Sequence, residues 1–233
     1  MEYNDFKSMP VIHGGYNLKE DLESFLSNGL RVKSTSNITN VDRLVQKENC
    51  VFFRYGQFCT YGNGEILIVD PQVVVDKQTK IFEQDVEGVY NEIRKYLLNP
   101  SYRVQQYTKN LPAVRREFID IFQGQDVNRF LESAWFVNYL KSYSTDWSSL
   151  VTTFVSKFKN SSATLCDFFN RHPFDLEWNI NEEICIPESV EPKYILAYWD
   201  KTNFYKFRDG IASETQQMLR VMERCLAKNV VCN

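Results

Sequence analysis

Two regions rich in β-strand signals, separated by the helical segment 83–172, constrain the fold of this chain more than any other feature. The first region covers residues 9–82 and the second covers residues 176–206. A strand needs neighbours that satisfy its backbone and cover its apolar face, so the two regions favour one sheet assembled from both. The sequence therefore predicts one α+β domain over residues 1–233, with a split mixed β-sheet, a large central helical insertion and a C-terminal helix at 210–229.

Short apolar runs bounded by turn residues predict the individual strands. Residues 50–53 and 65–69 are rich in β-forming side chains and lie beside glycine-containing turns. Residues 183–187 and 194–199 have the same character in the second strand region. Between the two regions, apolar residues recur at helical spacing and strand signals fade, so we expect several helices there.

Capping residues mark the ends of the predicted helices. Asn17 can cap the first helix, and Gly29 stands where a left-handed C-cap belongs. Gly124 and Asp146 divide the central segment, and Asp146 can cap the helix that follows it. The apolar faces of the first and last helices consist of Leu18, Leu22, Phe25 and Leu26, and of Met218, Val221, Met222 and Cys225.

The composition is that of a protein with a sizeable core and no general affinity for polyanions. Apolar residues make up 43% of the chain and aromatic residues 15%, while the net charge is −3. Only two histidines are present, without ligand spacing, so we expect no metal site. No C-x-x-C pair occurs, and we therefore expect buried free thiols. The six cysteines are Cys50, Cys59, Cys166, Cys185, Cys225 and Cys232.

Hydropathy gives no sign of a membrane segment. No apolar run reaches the roughly 18 residues that a helix needs to span a bilayer. The opening residues 1–5 lack a basic region followed by an apolar stretch, so we expect no signal peptide. These features favour a cytoplasmic protein without a membrane partner.

A histidine followed by two glycines ends the first predicted strand. The His13 ring can form a hydrogen bond with a ribose hydroxyl, and Gly14 and Gly15 let a ligand approach the backbone closely. The helix that starts after Asn17 offers N–H groups to the same ligand. Read alone, these residues also fit a turn with a surface histidine.

The second candidate element is the end of the strand that contains Arg54. A guanidinium group at this point can bind a diphosphate. The rings of Tyr55 and Tyr61 can stack on a planar ligand. The residues at 62–64, Gly-Asn-Gly, fit an ordinary hairpin turn in any case.

An acidic pair, Glu182 and Glu183, opens the first strand of the second region. A carboxylate there can bind a ribose hydroxyl and stabilise positive charge that develops on an anomeric carbon. Successive side chains of an extended chain point to opposite faces, so the two carboxylates would face different sides. Glu183 directly adjoins the strand and is the first choice, although Glu182 and a merely solvated acidic turn stay open.

In their order and strand context, these elements resemble the ADP-ribosyltransferase superfamily. His13, Asn17-Leu18 and Gly29-Leu30 are similar to the opening motif of its DarT-like branch and of related bacterial defence toxins. Glu183–Ile186 is similar to the glutamate strand of that branch. Pro192 and Ile195 are similar to the strand that follows it.

The resemblance covers about residues 9–75 and 176–199 and implies an NAD-dependent mono-ADP-ribosyltransferase with an ADP-ribosyltransferase-like core. That branch usually has a threonine where Gly15 stands. The implied catalytic residue Glu183 orients the ribose and assists loss of nicotinamide, together with Arg54 and His13. The implied NAD-binding residues are His13, Gly14, Asn17, Arg54 and Tyr61.

A stretch without acidic residues runs from Arg94 to Arg116. Its basic side chains can neutralise phosphates, and its interleaved tyrosines can stack on unpaired bases. DarT-like enzymes modify nucleic acid, so we expect single-stranded DNA or RNA as the acceptor; a protein acceptor and a merely solvated helical face stay open. The candidate nucleic-acid-binding residues are Arg94, Lys95, Arg103, Lys109, Arg115 and Arg116.

Four functions compete on this sequence. The first is a transferase that acts as a toxin or phage-conflict effector, with an antitoxin as partner. The second is a non-catalytic binding or immunity protein that keeps a degenerate transferase fold. An RNA 2′-phosphotransferase would need several arginines around the phosphates, and only Arg54 is well placed. A nuclease would need a clustered metal-binding set of Asp, Glu and His, which the sequence does not show.

Overall fold

A computed structural model describes residues 3–15, 18–32, 38–58, 64–99, 101, 120–170 and 182–227 of the chain. Within these residues the fold is α+β. The strands are β1 (Val11–Gly15), β2 (Leu30–Arg31), β3 (Cys50–Tyr55), β4 (Glu65–Val69), β5 (Lys80–Phe82), β6 (Ser144–Thr145), β7 (Glu183–Pro187), β8 (Ser189–Val190), β9 (Ile195–Trp199) and β10 (Phe204–Lys206).

The described helices differ widely in length, from one turn to fifteen residues. None of them is long and apolar enough to cross a membrane. They are α1 (Tyr3–Lys7), α2 (Leu18–Asn28), α3 (Asn40–Leu44), α4 (Gln72–Asp76), α5 (Val86–Leu98), α6 (Val127–Leu131), α7 (Ala134–Lys141), α8 (Trp147–Lys159), α9 (Leu165–Asn170) and α10 (Ser213–Ala227), and a 3₁₀ turn spans Pro192–Tyr194.

One eight-stranded sheet organises the fold, in the order β10-β9-β4-β1-β3-β7-β5-β6. Strands β1, β3, β4 and β5 come from the first strand region, and β7, β9 and β10 from the second, which confirms a sheet built from both. The expected mixed sheet is wrong for the described strands, because each neighbouring pair runs antiparallel. The short strand β6 lies within the segment 83–172, where strand signals had faded.

Alternate residues of β3 and β7 face two different hydrophobic cores. Val51 and Ile184 belong to the larger cluster, whereas Cys50 and Cys185 belong to the smaller one. This alternation follows from the pleat of a strand, which sends successive side chains to opposite faces. Helices α8 and α9 contribute to the larger core, and α5, α6 and α7 to the smaller one. The central helical segment therefore covers both faces of the sheet.

Several local signals in the sequence are confirmed. Gly29 follows α2 with φ +78°, and Gly124 has φ +72° between a helical turn at 120–122 and α6. The Asp146 carboxylate accepts a hydrogen bond from the backbone N–H of Ser149 at the start of α8, as a capping residue does. The capping role expected of Asn17 lies outside the described residues. The last helix occupies Ser213–Ala227, within the expected range.

A small two-stranded sheet fastens the end of α2 to the chain after β7. Leu30 of β2 pairs with Val190 of β8 in an antiparallel register. The backbone of Gly29 approaches so closely that a Cβ atom there would lie 2.2 Å from the carbonyl oxygen of Val190. Glycine is required at this position for two reasons, its positive φ and this close approach.

A disulfide corrects the expectation of free thiols. Cys166 of α9 and Cys225 of α10 are bonded, with their Cα atoms 5.5 Å apart and their positions separated by 59 in sequence. Cys50 and Cys185 are buried free thiols, as expected, while Cys59 and Cys232 lie outside the described residues. Disulfides are rare in reducing compartments, so this bond does not favour the expected cytoplasmic location.

We predict that Gly29→Ala destabilises the fold by at least about 2 kcal/mol, because it combines an unfavourable positive φ with a backbone clash. Chemical denaturation would measure the loss. Gly124→Ala is the matched control, because Gly124 also has a positive φ but a Cβ atom there would meet nothing within 4 Å. Its loss should be about 1 kcal/mol. Equal losses in the two variants would contradict the close approach to Val190.

We predict that Cys225→Ser lowers the free energy of unfolding by about 2–4 kcal/mol, because it frees a long loop in the unfolded chain. Thermal or urea denaturation without reductant would show the change. Reductant should destabilise the wild type by a similar amount and leave the variant unchanged. A wild type that is insensitive to reductant would show that Cys166 and Cys225 are not bonded.

Candidate functional site

The sheet opens between β1 and β3. Strand β1 pairs with β4 along its whole length, from Val11 to Gly15, but with β3 only at Val11 and Ile12. Beyond the pair Ile12–Arg54, the two strands no longer form a ladder, and β3 continues its pairing with β7 on the other side. We call this opening the fork. Gly14 and Gly15 lie on its β1 side and present no side chains to fill it.

The His13 side chain bridges the fork. Its Nδ1 atom lies 2.9 Å from the carbonyl oxygen of Phe52, on the strand from which β1 has separated. A carbonyl oxygen can only accept, so Nδ1 is the protonated nitrogen of the ring, and Nε2 is the acceptor in the neutral form. The ring also packs against Phe53, with centroids 5.4 Å apart. The histidine therefore has a fixed tautomer and a fixed orientation.

Two adjoining cavities open at the fork. The larger, of about 530 Å³, is lined by His13, Gly14, Arg54 and Glu183, among others. The smaller, of about 360 Å³, is mainly apolar and shares His13, Gly14 and Phe52 with the first. Phe52 is 39% exposed, in a strand whose other residues are buried, and it lines both spaces. The three residues predicted to be catalytic thus line one cavity.

The Glu183 carboxylate is held at one of its two oxygens. Its Oε2 atom accepts a hydrogen bond from Lys47 Nζ at 2.8 Å and one from the backbone N–H of Val86, at the start of α5, at 3.3 Å. Burial raises the pKa of Glu183, and the charge of Lys47 opposes that rise. Glu183 therefore has a carboxylate group that is held in one orientation and that lines the larger cavity.

Glu182 lies on the opposite side of the strand and is fully buried. Its Oε1 atom accepts a hydrogen bond from the backbone N–H of Tyr55 at 2.8 Å. Its carbonyl oxygen accepts one from Arg54 Nη1 at 3.1 Å. The structure thus places Glu183 at the cavity and gives Glu182 bonds that join β7 to β3.

Arg54 lines the larger cavity but is only 7% exposed. One of its guanidinium nitrogens holds the Glu182 carbonyl, so the side chain also fixes the backbone just before Glu183. A buried guanidinium contributes positive charge to the cavity wall at low effective dielectric. Its contact with a phosphate stays a prediction.

Lys47 is a site residue that the sequence did not indicate. It is 1% exposed, and its Nζ atom contacts Glu183 and lies 3.4 Å from Asp42 Oδ1. The rings of Phe52 and Phe82 lie 5.2 and 5.6 Å from the same nitrogen. Burial alone would lower the pKa of Lys47, but the neighbouring acidic groups outweigh it and raise that pKa above its usual range.

No local signal could have identified Lys47. The residue stands in a polar turn, Gln46-Lys47-Glu48-Asn49, which has the composition of an ordinary solvated loop. Gln46 has a positive φ of 61°, which bends the chain after α3. The burial of Lys47 depends on β7, which lies 136 residues further along the chain. Only the folded sheet brings the two together.

The remaining predicted site residues are partly outside the described residues. Arg94 and Lys95 are exposed on α5, and Lys95 Nζ lies 3.6 Å from Glu92 Oε1. The first residue of the same helix contacts Glu183. Arg94 is therefore about 12 Å along the helix axis from Val86, the residue that contacts Glu183. The predicted residues outside the described part are Asn17, Tyr61, Arg103, Lys109, Arg115 and Arg116.

Comparisons with protein-family models and with curated proteins found no match for this chain.

We predict that Glu182→Ala lowers the free energy of unfolding by about 1–3 kcal/mol, because it leaves the buried N–H of Tyr55 without its acceptor. Urea denaturation would measure the loss. Glu182→Gln keeps an acceptor oxygen in the same place and is the matched control, with a smaller loss. If the two variants are equally stable, the bond from Tyr55 to Glu182 does not stabilise the β3–β7 pair.

Proposed function

We propose that this protein is an NAD-dependent mono-ADP-ribosyltransferase whose active site is the cavity at the fork. The observation that supports it best is the meeting of His13, Arg54 and Glu183 on one cavity wall, each from a different strand. These are the residues on which the resemblance to the DarT-like branch places the chemistry. They lie far apart in sequence, so their meeting was not implied by the motifs alone.

The shape of the fork suits a dinucleotide. Each of the two adjoining cavities falls within the roughly 300–1,000 Å³ of small-molecule sites. A mainly apolar space and a more polar one that share Phe52 suit the two unequal halves of NAD. Gly14 permits close approach of the ligand to the backbone, and Arg54 places a positive charge near the diphosphate.

The chemistry assigned to the site is transfer of ADP-ribose from NAD. His13 Nε2 and Glu183 Oε1 would accept hydrogen bonds from ribose hydroxyls. As the glycosidic C–N bond breaks, its electron pair leaves with nicotinamide, and the negative charge of Glu183 stabilises the positive charge that develops on the anomeric carbon. The acceptor nucleophile then bonds to that carbon and releases its proton to solvent.

Nucleic acid is the acceptor that the charge distribution favours. Arg94 and Lys95 extend from α5, the helix whose first residue binds Glu183. Phosphates along a nucleic-acid strand are spaced only a few ångströms apart, so a few nucleotides would extend from these cations to the cavity. We therefore propose single-stranded DNA or RNA as the acceptor, and a toxin or phage-conflict role with an antitoxin as partner.

A second candidate is a non-catalytic binding or immunity protein with the same fold. The burial of Arg54, and the engagement of its Nη1 atom with Glu182, favour it, since a phosphate clamp needs accessible donors. Such a protein would bind NAD or a nucleic acid without releasing nicotinamide. Nicotinamide release therefore separates the two candidates.

We predict that the protein transfers label from NAD to one of three pools: single-stranded DNA, RNA or cell protein. Glu183→Gln should lower transfer by about 100-fold or more, because it removes the charge that stabilises the transition state. Scintillation counting of each purified pool, with nicotinamide measured in parallel, gives the rate and the acceptor class.

The matched control is Glu188→Gln, which removes the same charge from an exposed turn about 17 Å along the chain. It should transfer at the wild-type rate. Transfer that survives in Glu183→Gln would place the active site elsewhere. No transfer and no nicotinamide release in the wild type would favour the binding protein.

A further inference from the structure

We propose that Lys47 is a positioning residue of this site: its buried ammonium group fixes Oε2 of Glu183 and keeps the carboxylate ionised, so that Oε1 is available to a ribose hydroxyl. This inference rests on the proposed function and adds to it a residue that no sequence motif indicates. Lys47 borders the smaller cavity, but it is only 1% exposed and its ammonium group binds Glu183, so it would act through Glu183 and not as a contact to the substrate.

The contacts around Glu183 support this division between its two oxygens. Within the part of the chain that the structure describes, the hydrogen bonds to the carboxylate come from Lys47 and Val86, and both end on Oε2. The same carboxylate lines the larger cavity. Two donors at one oxygen restrict rotation of the group and orient the other oxygen as the remaining acceptor.

Lys47 is itself held rigidly by α3. Its backbone N–H donates to the carbonyl oxygen of Asp42 at 2.7 Å, and its Nζ lies 3.4 Å from the Asp42 carboxylate. The other Asp42 oxygen, Oδ2, accepts hydrogen bonds from the backbone N–H and the hydroxyl of Thr39, both at 2.9 Å. A continuous series of polar contacts thus runs from Thr39 through Asp42 and Lys47 to Glu183.

Burial explains why Glu183 needs a cation. A carboxylate removed from water becomes protonated unless an opposite charge compensates it. Lysine is almost never fully buried without a charged partner, and Lys47 is 1% exposed. A protonated Glu183 could not stabilise a developing positive charge, so the lysine sets the pH range in which the site can act.

The other charged and titratable groups near the carboxylate are of both signs. Asp85 disfavours the ionised form of Glu183 and Arg54 favours it. The Lys47 ammonium group lies 2.8 Å from the Glu183 carboxylate and is therefore the main compensating charge. The groups that face Glu183 or share its cavity are Lys47, Asp42, Asp85, Glu87, Arg54, His13 and Cys185.

The first test is the pH profile of NAD turnover in Lys47→Met. Loss of the cation favours protonated Glu183, so the acidic limb of kcat should move to higher pH and kcat at pH 7 should fall by about tenfold or more. The KM for NAD should change little, because the Lys47 side chain is 1% exposed and its ammonium group is bound to Glu183. Lys47→Arg keeps the charge and should restore the acidic limb.

A matched control is Lys77→Met, which breaks a lysine–glutamate pair of similar length, 3.0 Å to Glu191, at a partly exposed position away from the cavity. Its pH profile should match that of the wild type. If Lys47→Met does not fold, Lys47→Gln keeps a hydrogen-bond donor without the charge and should show the same displaced limb. An acidic limb that stays in place in the uncharged variant would overturn the proposal.

A direct titration separates failure of this inference from failure of the proposed function. Carbon-13 NMR of glutamate carboxyl groups follows Glu183, whose resonance is assigned by its absence in Glu183→Gln. Removal of the Lys47 charge should move this titration to higher pH, whether or not the protein turns over NAD. An unchanged titration would refute the role of Lys47, whereas a shifted titration without any NAD turnover would refute only the proposed function.

Discussion

The pairing of β3 with β7 is the constraint on which the rest of this structure depends. It joins two parts of the chain that lie 127 residues apart, through the bond from the Tyr55 N–H to Glu182. Because the side chains of the two strands alternate between faces, this one pairing divides the hydrophobic core in two. It also sets Glu183 near Arg54, which neither segment could do alone.

The cavity lies where β3 stays paired with β7 but no longer pairs with β1. Where β1 and β3 separate, their facing backbone groups are no longer joined by ladder hydrogen bonds. The His13 ring supplies the donor for Phe52. His13 thus replaces a missing ladder hydrogen bond, and it also lines the cavity that forms where β1 and β3 separate. A structural requirement and the proposed function converge on the same side chain.

The Lys47–Glu183 pair is not explained well by stability alone. Apolar residues of similar volume in place of a buried ion pair often leave a protein equally stable or make it more stable by about 1–4 kcal/mol. Removal of a single partner is strongly unfavourable, since it leaves a buried charge uncompensated. Packing at the edge of the smaller hydrophobic cluster alone would not require the Lys47–Glu183 pair. Its presence agrees with a chemical role for the Glu183 carboxylate.

The sequence by itself determined the local elements and the types of side chain available for chemistry. The strands at 65–69 and 183–187, the cap at Asp146 and the turn at Gly29 depend on residues a few positions apart, whose preferences act before any tertiary contact forms. The tertiary structure decided the antiparallel strand order, the bond between Cys166 and Cys225, and the burial of Lys47. Each of these joins groups far apart in sequence, and their spacing carries no information about which groups meet. The identification of Glu183 as the glutamate at the cavity depends on both sequence and tertiary structure. The pleat of a strand sends the side chains of Glu182 and Glu183 to opposite faces, but only the folded sheet shows which face borders the cavity.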